Sequence, residues 1–205
     1  MITRDLIIDT ATKLFLQHGV KIITIDRIVK ELHTSKRTIY NHFEDKITLL
    51  KACLDKYHLK VKTENEEIIK SAENVIEAMA FMHQMIIKRS YQVNPNFFGD
   101  IIRYYPGLLN ESYSKNDNFA HKQLIQLAEW GIKDGIYQPD MDIEVVGKTV
   151  LTLLKLLKDN NQFPVTEFSK ERLTFGILVP YLRGLCTIKG IKLLQIQEEL
   201  FKVSI

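Results

Sequence analysis

The chain has 205 residues, of which 45% are hydrophobic and 26% are charged, and its formal net charge is +3. This composition is typical of a globular protein and excludes collagen-like, disulfide-rich and intrinsically disordered chains. Only 9 Gly and 5 Pro are present, too few for a sheet-rich fold with many tight turns, so we expect an all-α protein. Charged residues interrupt the first sixteen positions and predict no signal peptide, and no stretch is apolar over a length that could span a bilayer.

The charge is distributed unevenly along the chain. Residues 1–62 contain twelve Lys or Arg and seven acidic residues, a net charge of +5, whereas residues 63–205 have a net charge of −2. A basic end suits an anionic partner such as nucleic acid, although an excess of this size is also common on ordinary solvated surfaces. The charge alone therefore favours nucleic acid only weakly.

The basic segment, residues 1–62, is predicted to begin with one amphipathic helix and to end in a longer fourth helix. Apolar residues repeat at helical spacing up to Phe15 and stop at His18-Gly19, where glycine is the usual C-terminal signal. The acidic pair Glu44-Asp45 then opens a much longer helix, because acidic side chains complement the positive end of the helix dipole. The residues predicted to be buried are Leu6, Ile7, Ala11, Leu14 and Phe15 in the first helix and Leu49, Leu50, Cys53, Leu54, Tyr57 and Val61 in the fourth.

Two short capped helices are predicted between these longer ones. Thr24 is a suitable N-cap for the second helix, which breaks at His33-Thr34. Ser35 is a suitable N-cap for a third helix that runs from Lys36 to about Asn41. Two short helices joined by a tight turn are typical of a helix-turn-helix, although a generic helical hairpin has a similar pattern.

The residues that the third helix leaves exposed distinguish these two possibilities. Ile39 and Phe43 are predicted to be buried. Lys and Arg can donate to guanine or phosphate, Thr can touch a thymine methyl, and Tyr and His can donate to phosphate oxygens. The outward face therefore suits DNA, and its residues are Lys36, Arg37, Thr38, Tyr40 and His42.

Two segments carry a resemblance to a known family: Thr24-Ile25-Asp26-Arg27-Ile28, and the stretch from Thr34 to Lys46 that reads TSKRTIYNHFEDK. They resemble the N-terminal domain of the tetracycline-repressor (TetR) family of bacterial regulators. The matching segment lies in about the first quarter of the chain. The resemblance implies that Tyr40 and His42-Phe43 close the recognition helix, with the phenylalanine in the core, and that Lys46 meets a phosphate of the DNA.

His33 departs from the family pattern, which usually has Gly in this turn. Histidine is among the residues that tolerate a left-handed backbone, so we expect an intact motif at a small cost in strain. We expect a DNA-binding domain at residues 1–46. Its predicted DNA-binding residues are Thr24, Thr34, Ser35, Lys36, Arg37, Thr38, Tyr40, His42 and Lys46.

Residues 47–205 are predicted to form a larger helical domain, joined to the first through the long fourth helix. The helices near residues 145–157 and 173–185 are apolar around more than one stripe, which a central helix of a monomer would also show. TetR-like proteins dimerise through such a pair as a four-helix bundle, so we expect a homodimer held by roughly residues 143–188. Pro180 predicts a kink there, and the tail after Gly190 predicts another amphipathic helix.

A dense set of Met and aromatic residues in this half suits an adaptable apolar pocket, although such residues more often form an ordinary core. His83 lies among them and can orient a polar group of a ligand. TetR-like regulators generally bind small, often hydrophobic effectors in this half of the chain. The resemblance therefore implies a ligand site at Met79, Met82, His83, Ile86, Phe98, Ile101, Tyr105 and Trp130.

No phosphate loop, dinucleotide fingerprint, HExxH motif or GxSxG elbow occurs, so we expect no enzyme, cofactor or metal site. Cys53 and Cys186 lie in apolar helical patterns and predict reduced core thiols in a cytoplasmic protein. The prediction is a homodimeric transcription regulator, a repressor that a small molecule releases from a palindromic operator. The alternative is a helical module that binds a small molecule or another protein and does not read DNA.

Overall fold

The computed structural model describes residues 2–157, 162–164 and 166–202, with only the backbone of residues 109–118. The regular structure in this part of the chain is helical. Its β-structure is limited to one isolated bridge between Tyr137 and Cys186. The all-α class expected from the scarcity of Gly and Pro is therefore confirmed. Among the described residues, no helix combines the length and the apolar character needed to cross a membrane.

Eleven α-helices follow one another in the described part of the chain. A π-helical turn, Thr174–Leu178, separates α9 from α10, and a 3-10 turn, Glu198–Phe201, follows α11. In chain order the helices are α1 (Arg4–His18), α2 (Ile25–Glu31), α3 (Lys36–Tyr40), α4 (Lys46–Ser71), α5 (Val75–Gln92), α6 (Asn96–Tyr104), α7 (Pro106–Lys133), α8 (Ile143–Leu156), α9 (Lys170–Leu173), α10 (Val179–Leu185) and α11 (Ile188–Gln197).

The chain divides into two compact units. The first comprises Met1–Glu64 and Tyr91–Asn116, and the second comprises Asn65–Ser90 and Asp117–Ile205. Helices α4, α5 and α7 contribute residues to both units, and α4 is the long helix that was expected to leave the basic end. The domain boundary expected between residues 46 and 47 stays a prediction.

The core of the first unit is built from α1 to α4 and from α6. Ile7, Phe15, Ile28 and Ile39 are fully buried, and Ile101 of α6 lies in the same cluster. The prediction that Leu6 belongs to this core is wrong, because Leu6 is exposed and Ile8, two residues further along the chain, is buried instead. The buried stripe of α1 is therefore Ile7, Ile8, Ala11, Leu14 and Phe15.

The core of the second unit depends on two glycines at close helix contacts. A Cβ atom on Gly131 would overlap the ring of Tyr137, and one on Gly190 would overlap the carbonyl oxygen of Ile136. The expectation of a helix that begins after Gly190 is therefore corrected: Gly190 lies in the first turn of α11, whose N-cap is Thr187. Glycine is present there because the neighbouring backbone leaves no room for a side chain.

The irregularity expected at Pro180 takes the form of the π-helical turn. The backbone N–H of Val179 donates to the carbonyl of Thr174, five residues earlier. Pro180 has no N–H, and in a regular α-helix its ring would clash with the carbonyl of Gly176. The wider turn immediately before α10 accommodates the proline where the helix would otherwise be strained.

Candidate nucleic-acid interface

Side-chain caps begin both short helices of the first unit. The Thr24 hydroxyl oxygen accepts from the backbone N–H of Arg27 at 3.3 Å, and the Ser35 oxygen accepts from the N–H of Thr38 at 3.1 Å. The two N-caps predicted from the sequence are thereby confirmed. Each cap satisfies a backbone donor that the first helical turn leaves without a partner, so the caps define where α2 and α3 begin.

The turn between α2 and α3 is a left-handed helix termination centred on His33. Its φ angle is +48°, and it is the only non-glycine residue with positive φ in the described part of the chain. The N–H of His33 donates to the Lys30 carbonyl at 3.3 Å, and the N–H of Thr34 donates to the Val29 carbonyl at 3.1 Å. This is the Schellman pattern, normally completed by glycine. The expected left-handed backbone at His33 is confirmed.

Helix α3 packs through one side and leaves the other side open. Ile39 and Phe43 are buried in the core of the first unit, as predicted. Thr38 is half-buried, and the remaining side chains of the predicted DNA-binding face are exposed: Lys36, Arg37, Tyr40 and His42. The helix therefore presents cationic and hydrogen-bonding groups to solvent on a rigid support.

Two residues of this face are engaged by neighbouring side chains. Lys36 Nζ lies 2.7 Å from Asp26 Oδ1, and this hydrogen bond, followed by the negative charge of Asp26, raises the pKa of Lys36. The hydroxyl of Thr38 lies 2.9 Å from that of Ser35. Among the described residues, Arg37 forms no ion pair, so its guanidinium is available for a bidentate contact to a base or a phosphate.

Lys46 begins α4 and is more enclosed than the residues of α3. Its Nζ atom donates to the carbonyl oxygen of Val20 at 2.7 Å and lies 5.8 Å from the ring centre of Phe15. Burial lowers the pKa of Lys46, although the charge of Asp100 acts in the opposite direction. The amine links α4 to the segment that follows α1, and its contact with a phosphate stays a prediction.

The predicted ligand residues fall into different units. Phe98, Ile101 and Tyr105 pack with the core of the first unit, whereas Met79, Met82 and Trp130 pack with the core of the second. A single ligand site formed by all eight residues therefore stays a prediction. Sequence periodicity indicated that α6 has an apolar side but carried no information about which helices that side faces.

His83 and Trp130 make specific polar contacts in the second unit. His83 is buried, and its Nε2 atom lies 2.8 Å from the hydroxyl of Thr174, which itself donates to the Lys170 carbonyl. Because the Thr174 proton is used in that bond, His83 Nε2 acts as the donor. The indole N–H of Trp130 donates to Asp134 at 2.7 Å. Ile86 is half-buried on the same helix as His83.

The sequence patterns did not point to one pair of buried amide side chains, Asn65 and Gln123. Asn65 of α4 donates through Nδ2 to Gln123 Oε1 of α7 at 3.1 Å. Asn65 Oδ1 and Gln123 Nε2 are buried and have no hydrogen-bond partner in the described part of the chain, and Gln123 is only 3% exposed. Such atoms are costly to bury unless something satisfies them. The sequence signal that could have indicated this pair is the polar amide of Gln123 beside Leu124 and Leu127, on the apolar side of a helix.

Comparisons with known proteins agree with this geometry. Residues 7–53 match the sequence family described as bacterial regulatory proteins, tetR family. A curated relative, the uncharacterized HTH-type transcriptional regulator YhgD of Bacillus subtilis (strain 168), is 26% identical over 157 residues, which cover 75% of this chain and 79% of that protein.

Solved structures show the same fold over nearly the whole chain. A TetR-family transcriptional regulator from Marinobacter aquaeolei VT8 has a TM-score of 0.72 at 20% identity, covering 98% of this chain and 100% of its own. Reduced E. coli NemR has a TM-score of 0.74 at 14% identity, covering 90% and 96%. The matched family and the curated relative are transcriptional regulators, not enzymes. Residues 7–53 therefore form a DNA-binding segment of the tetR family of bacterial regulatory proteins, and the chain is a DNA-binding transcriptional regulator.

Proposed function

We propose that the protein is a repressor whose α3 helix reads a palindromic operator in the major groove. The observation that carries this proposal is that Ile39 of α3 and Phe43 just after it are buried, while the other side of the segment carries open cationic and hydrogen-bonding groups. The domain that holds α3 is proposed at residues 1–46, in the cytoplasm, where bacterial DNA lies. The proposed contacts are Thr24, Thr34, Ser35, Lys36, Arg37, Thr38, Tyr40, His42 and Lys46.

The proposed roles of these residues differ. Arg37 and Thr38 read bases, because an arginine fork matches guanine and a threonine methyl matches thymine. Thr24, Tyr40, His42 and Lys46 bind phosphates and so fix the position of α3 on the duplex without selecting its sequence. Lys36 can belong to either group, and in the free protein its amine is paired with Asp26.

The proposed homodimer interface is formed by about residues 143–188, within which residues 158–161 and 165 lie outside the described residues. The proposal is supported by apolar helices in this range that leave part of their surface exposed in a single protomer. Val145 of α8 is 57% exposed. Three small residues spaced by four, Gly176, Pro180 and Gly184, are exposed along the α9–α10 segment, and a Cβ on either glycine would meet open space. Such a flat surface permits close packing against a second copy.

A dimer of this kind places two α3 helices in successive major grooves, about 34–36 Å apart, so its operator is an inverted repeat. Selection of bound sequences from random DNA, with sedimentation of the free protein, tests both statements together. We expect the selected DNA sequence to be palindromic and the protein to be a dimer at micromolar concentration. A stable monomer, or a winning sequence without two-fold symmetry, contradicts the proposal.

The proposed effector is a small, largely apolar molecule that carries a group able both to donate and to accept hydrogen bonds. The observation that supports this chemistry is the buried Asn65–Gln123 pair, with one acceptor and one donor left over. Met and aromatic side chains in the proposed contact set supply adaptable apolar surface. That set is Met79, Met82, His83, Ile86, Phe98, Ile101, Tyr105 and Trp130.

An effector releases DNA only if it binds the DNA-bound form less tightly than the free form. A tenfold loss of operator affinity requires a tenfold weaker effector affinity for the complex, a coupling of about 1.4 kcal/mol. Phe98, Ile101 and Tyr105 pack in the core of the first unit, which also contains Ile39 of α3.

A thermal-shift screen of amphipathic metabolites tests this coupling, followed by affinity measurements with and without operator. In Asn65→Leu and Gln123→Leu the effector response should disappear while operator binding remains. The double variant should be at least as stable as the wild type, because both polar partners are removed together. Hits that bind equally well to the free and the operator-bound protein contradict induced release.

A further inference from the structure

A surface cleft lies within the first unit, between the end of α1 and the outer side of α6. Its volume is about 420 Å³, within the range of sites that bind small molecules. Hydrogen bonds hold its walls together: the backbone N–H of Lys21 donates to Asp100 Oδ2 at 2.7 Å, and the N–H of Asn94 donates to the Leu16 carbonyl at 2.7 Å. None of the residues that line the cleft belongs to the proposed DNA-binding or effector sets.

Two cations of the cleft meet at one aromatic ring. Lys21 Nζ lies 5.4 Å from the ring centre of Tyr104, and Arg103 Cζ lies 5.7 Å from the same centre. In the described part of the chain, neither cation forms an ion pair with a carboxylate. Two like charges around one ring repel each other, and an anion placed between them would remove that repulsion.

The same cleft also offers apolar surface. Ile22 lines it and is 72% exposed, and Tyr104 is 40% exposed. A large aliphatic side chain beside an open aromatic ring favours a ligand with an apolar, planar body. The cations and the apolar surface therefore select for a ligand that combines a negative charge with a ring.

We propose that this cleft binds a small aromatic carboxylate. The carboxylate accepts hydrogen bonds from the guanidinium of Arg103 and the amine of Lys21, and the ring of the ligand lies against Ile22 and Tyr104. Asp100 lies in the same cleft and favours a singly charged ligand, because its own charge repels a phosphate dianion. Such a ligand joins the segment before α2 to α6, at a place distinct from the proposed effector contacts.

The test uses benzoate as the probe, with benzamide and inorganic phosphate as comparison compounds, on the full-length protein. Isothermal titration measures affinity, and amide NMR shifts map the site on the wild type without any substitution. Saturable benzoate binding that shifts the amides of Gly99 and Tyr104, with no matching response to benzamide or phosphate, supports the proposal. Absence of saturable binding up to about 10 mM, or equal binding of phosphate, overturns it.

Substitutions then assign the contacts. Benzoate affinity should fall at least tenfold in Arg103→Gln and in Lys21→Gln, and it should be unchanged in Lys30→Gln, which removes an exposed lysine of the same unit outside the cleft. The substituted side chains are exposed, and circular dichroism checks that each variant is folded. Affinity that survives in Arg103→Gln and Lys21→Gln overturns the assignment to this cleft.

Discussion

Lys36 of α3 and Asp26 of α2 form an ion pair with a separation of 2.7 Å between Nζ and Oδ1. Both side chains are exposed, so the pair adds little to stability. Its consequence is electrostatic, because the carboxylate neutralises one of the cations on the proposed DNA-binding face. The charge that α3 presents to DNA is therefore set partly by α2.

The first prediction is that Asp26→Asn strengthens binding to DNA of any sequence. The freed Lys36 amine can neutralise one more phosphate, which makes the slope of log affinity against log salt steeper by about 0.9. Discrimination between operator and scrambled DNA should fall, since the added contact does not read bases. Fluorescence anisotropy over a series of salt concentrations measures both quantities.

Glu31→Gln provides the matched control for this experiment. It removes one exposed acid from the same helix, and Glu31 forms no ion pair among the described residues. The salt slope should stay close to that of the wild type. If Asp26→Asn and Glu31→Gln behave alike, overall charge and not the Asp26–Lys36 pair governs binding.

The second prediction separates residues that read bases from residues that position the helix. Arg37→Ala and Thr38→Ala should each reduce discrimination between operator and scrambled DNA, at a cost of about 1–3 kcal/mol per lost base contact. His42→Ala and Lys46→Ala should weaken binding to both DNAs alike. Competition titrations against the two DNAs measure the difference.

Lys46→Ala also removes the hydrogen bond to the Val20 carbonyl, so its stability must be measured by urea unfolding beside its DNA affinity. His42→Ala serves as the comparison, because His42 is exposed and no such bond is lost. Unchanged discrimination in both Arg37→Ala and Thr38→Ala would remove these two residues as readers.

The third prediction concerns the left-handed turn residue. His33→Gly should raise the free energy of unfolding by about 0.5–1 kcal/mol, because relief of a left-handed backbone, about 1–2 kcal/mol, exceeds the entropy that glycine adds to the unfolded chain. Urea unfolding at neutral pH measures the change.

His33→Val should be less stable than the wild type, because a β-branched residue is poorly accommodated at a φ of +48°. Both substitutions remove the imidazole, so a contact made by the side chain would shift both variants equally. A loss of stability in His33→Gly would show that the imidazole contributes more than its backbone costs.

The fourth prediction is a loss of stability at alkaline pH that originates in the two cysteines. Burial raises the pKa of Cys53 to about 12 and that of Cys186 to about 11, from a usual value of 9.0. Above pH 9 the unfolded chain therefore binds fewer protons than the folded chain. The free energy of unfolding should fall as the pH rises from 9 towards the folded-state values.

Urea unfolding between pH 8 and 10 compares the wild type with Cys53→Ala and Cys186→Ala, and each variant should show a weaker dependence on pH. Iodoacetamide should label the folded protein far more slowly than the unfolded chain, because a buried thiol supplies little thiolate. Rapid labelling of the folded protein at pH 8 would contradict the burial of both thiols.

Local features of this protein followed from the sequence because they depend on residues only three or four positions apart. The caps at Thr24 and Ser35 were predicted and are confirmed. The left-handed turn at His33 is equally local, since its hydrogen bonds lie within one helical turn. The burial of Ile39 in α3 and of Phe43 just after the helix follows from helical periodicity, since the two residues are four positions apart.

Contacts between distant segments of the chain depend on how the helices pack and could not be predicted from the sequence. Periodicity shows that α6 has an apolar side, but the placement of Ile101 in the first unit depends on which helices meet that side. The bond from Lys46 to Val20 and the Asn65–Gln123 pair span 26 and 58 residues of the chain. No local signal specifies such partners, because a side chain's spacing along a helix defines its direction and not the atom that it meets.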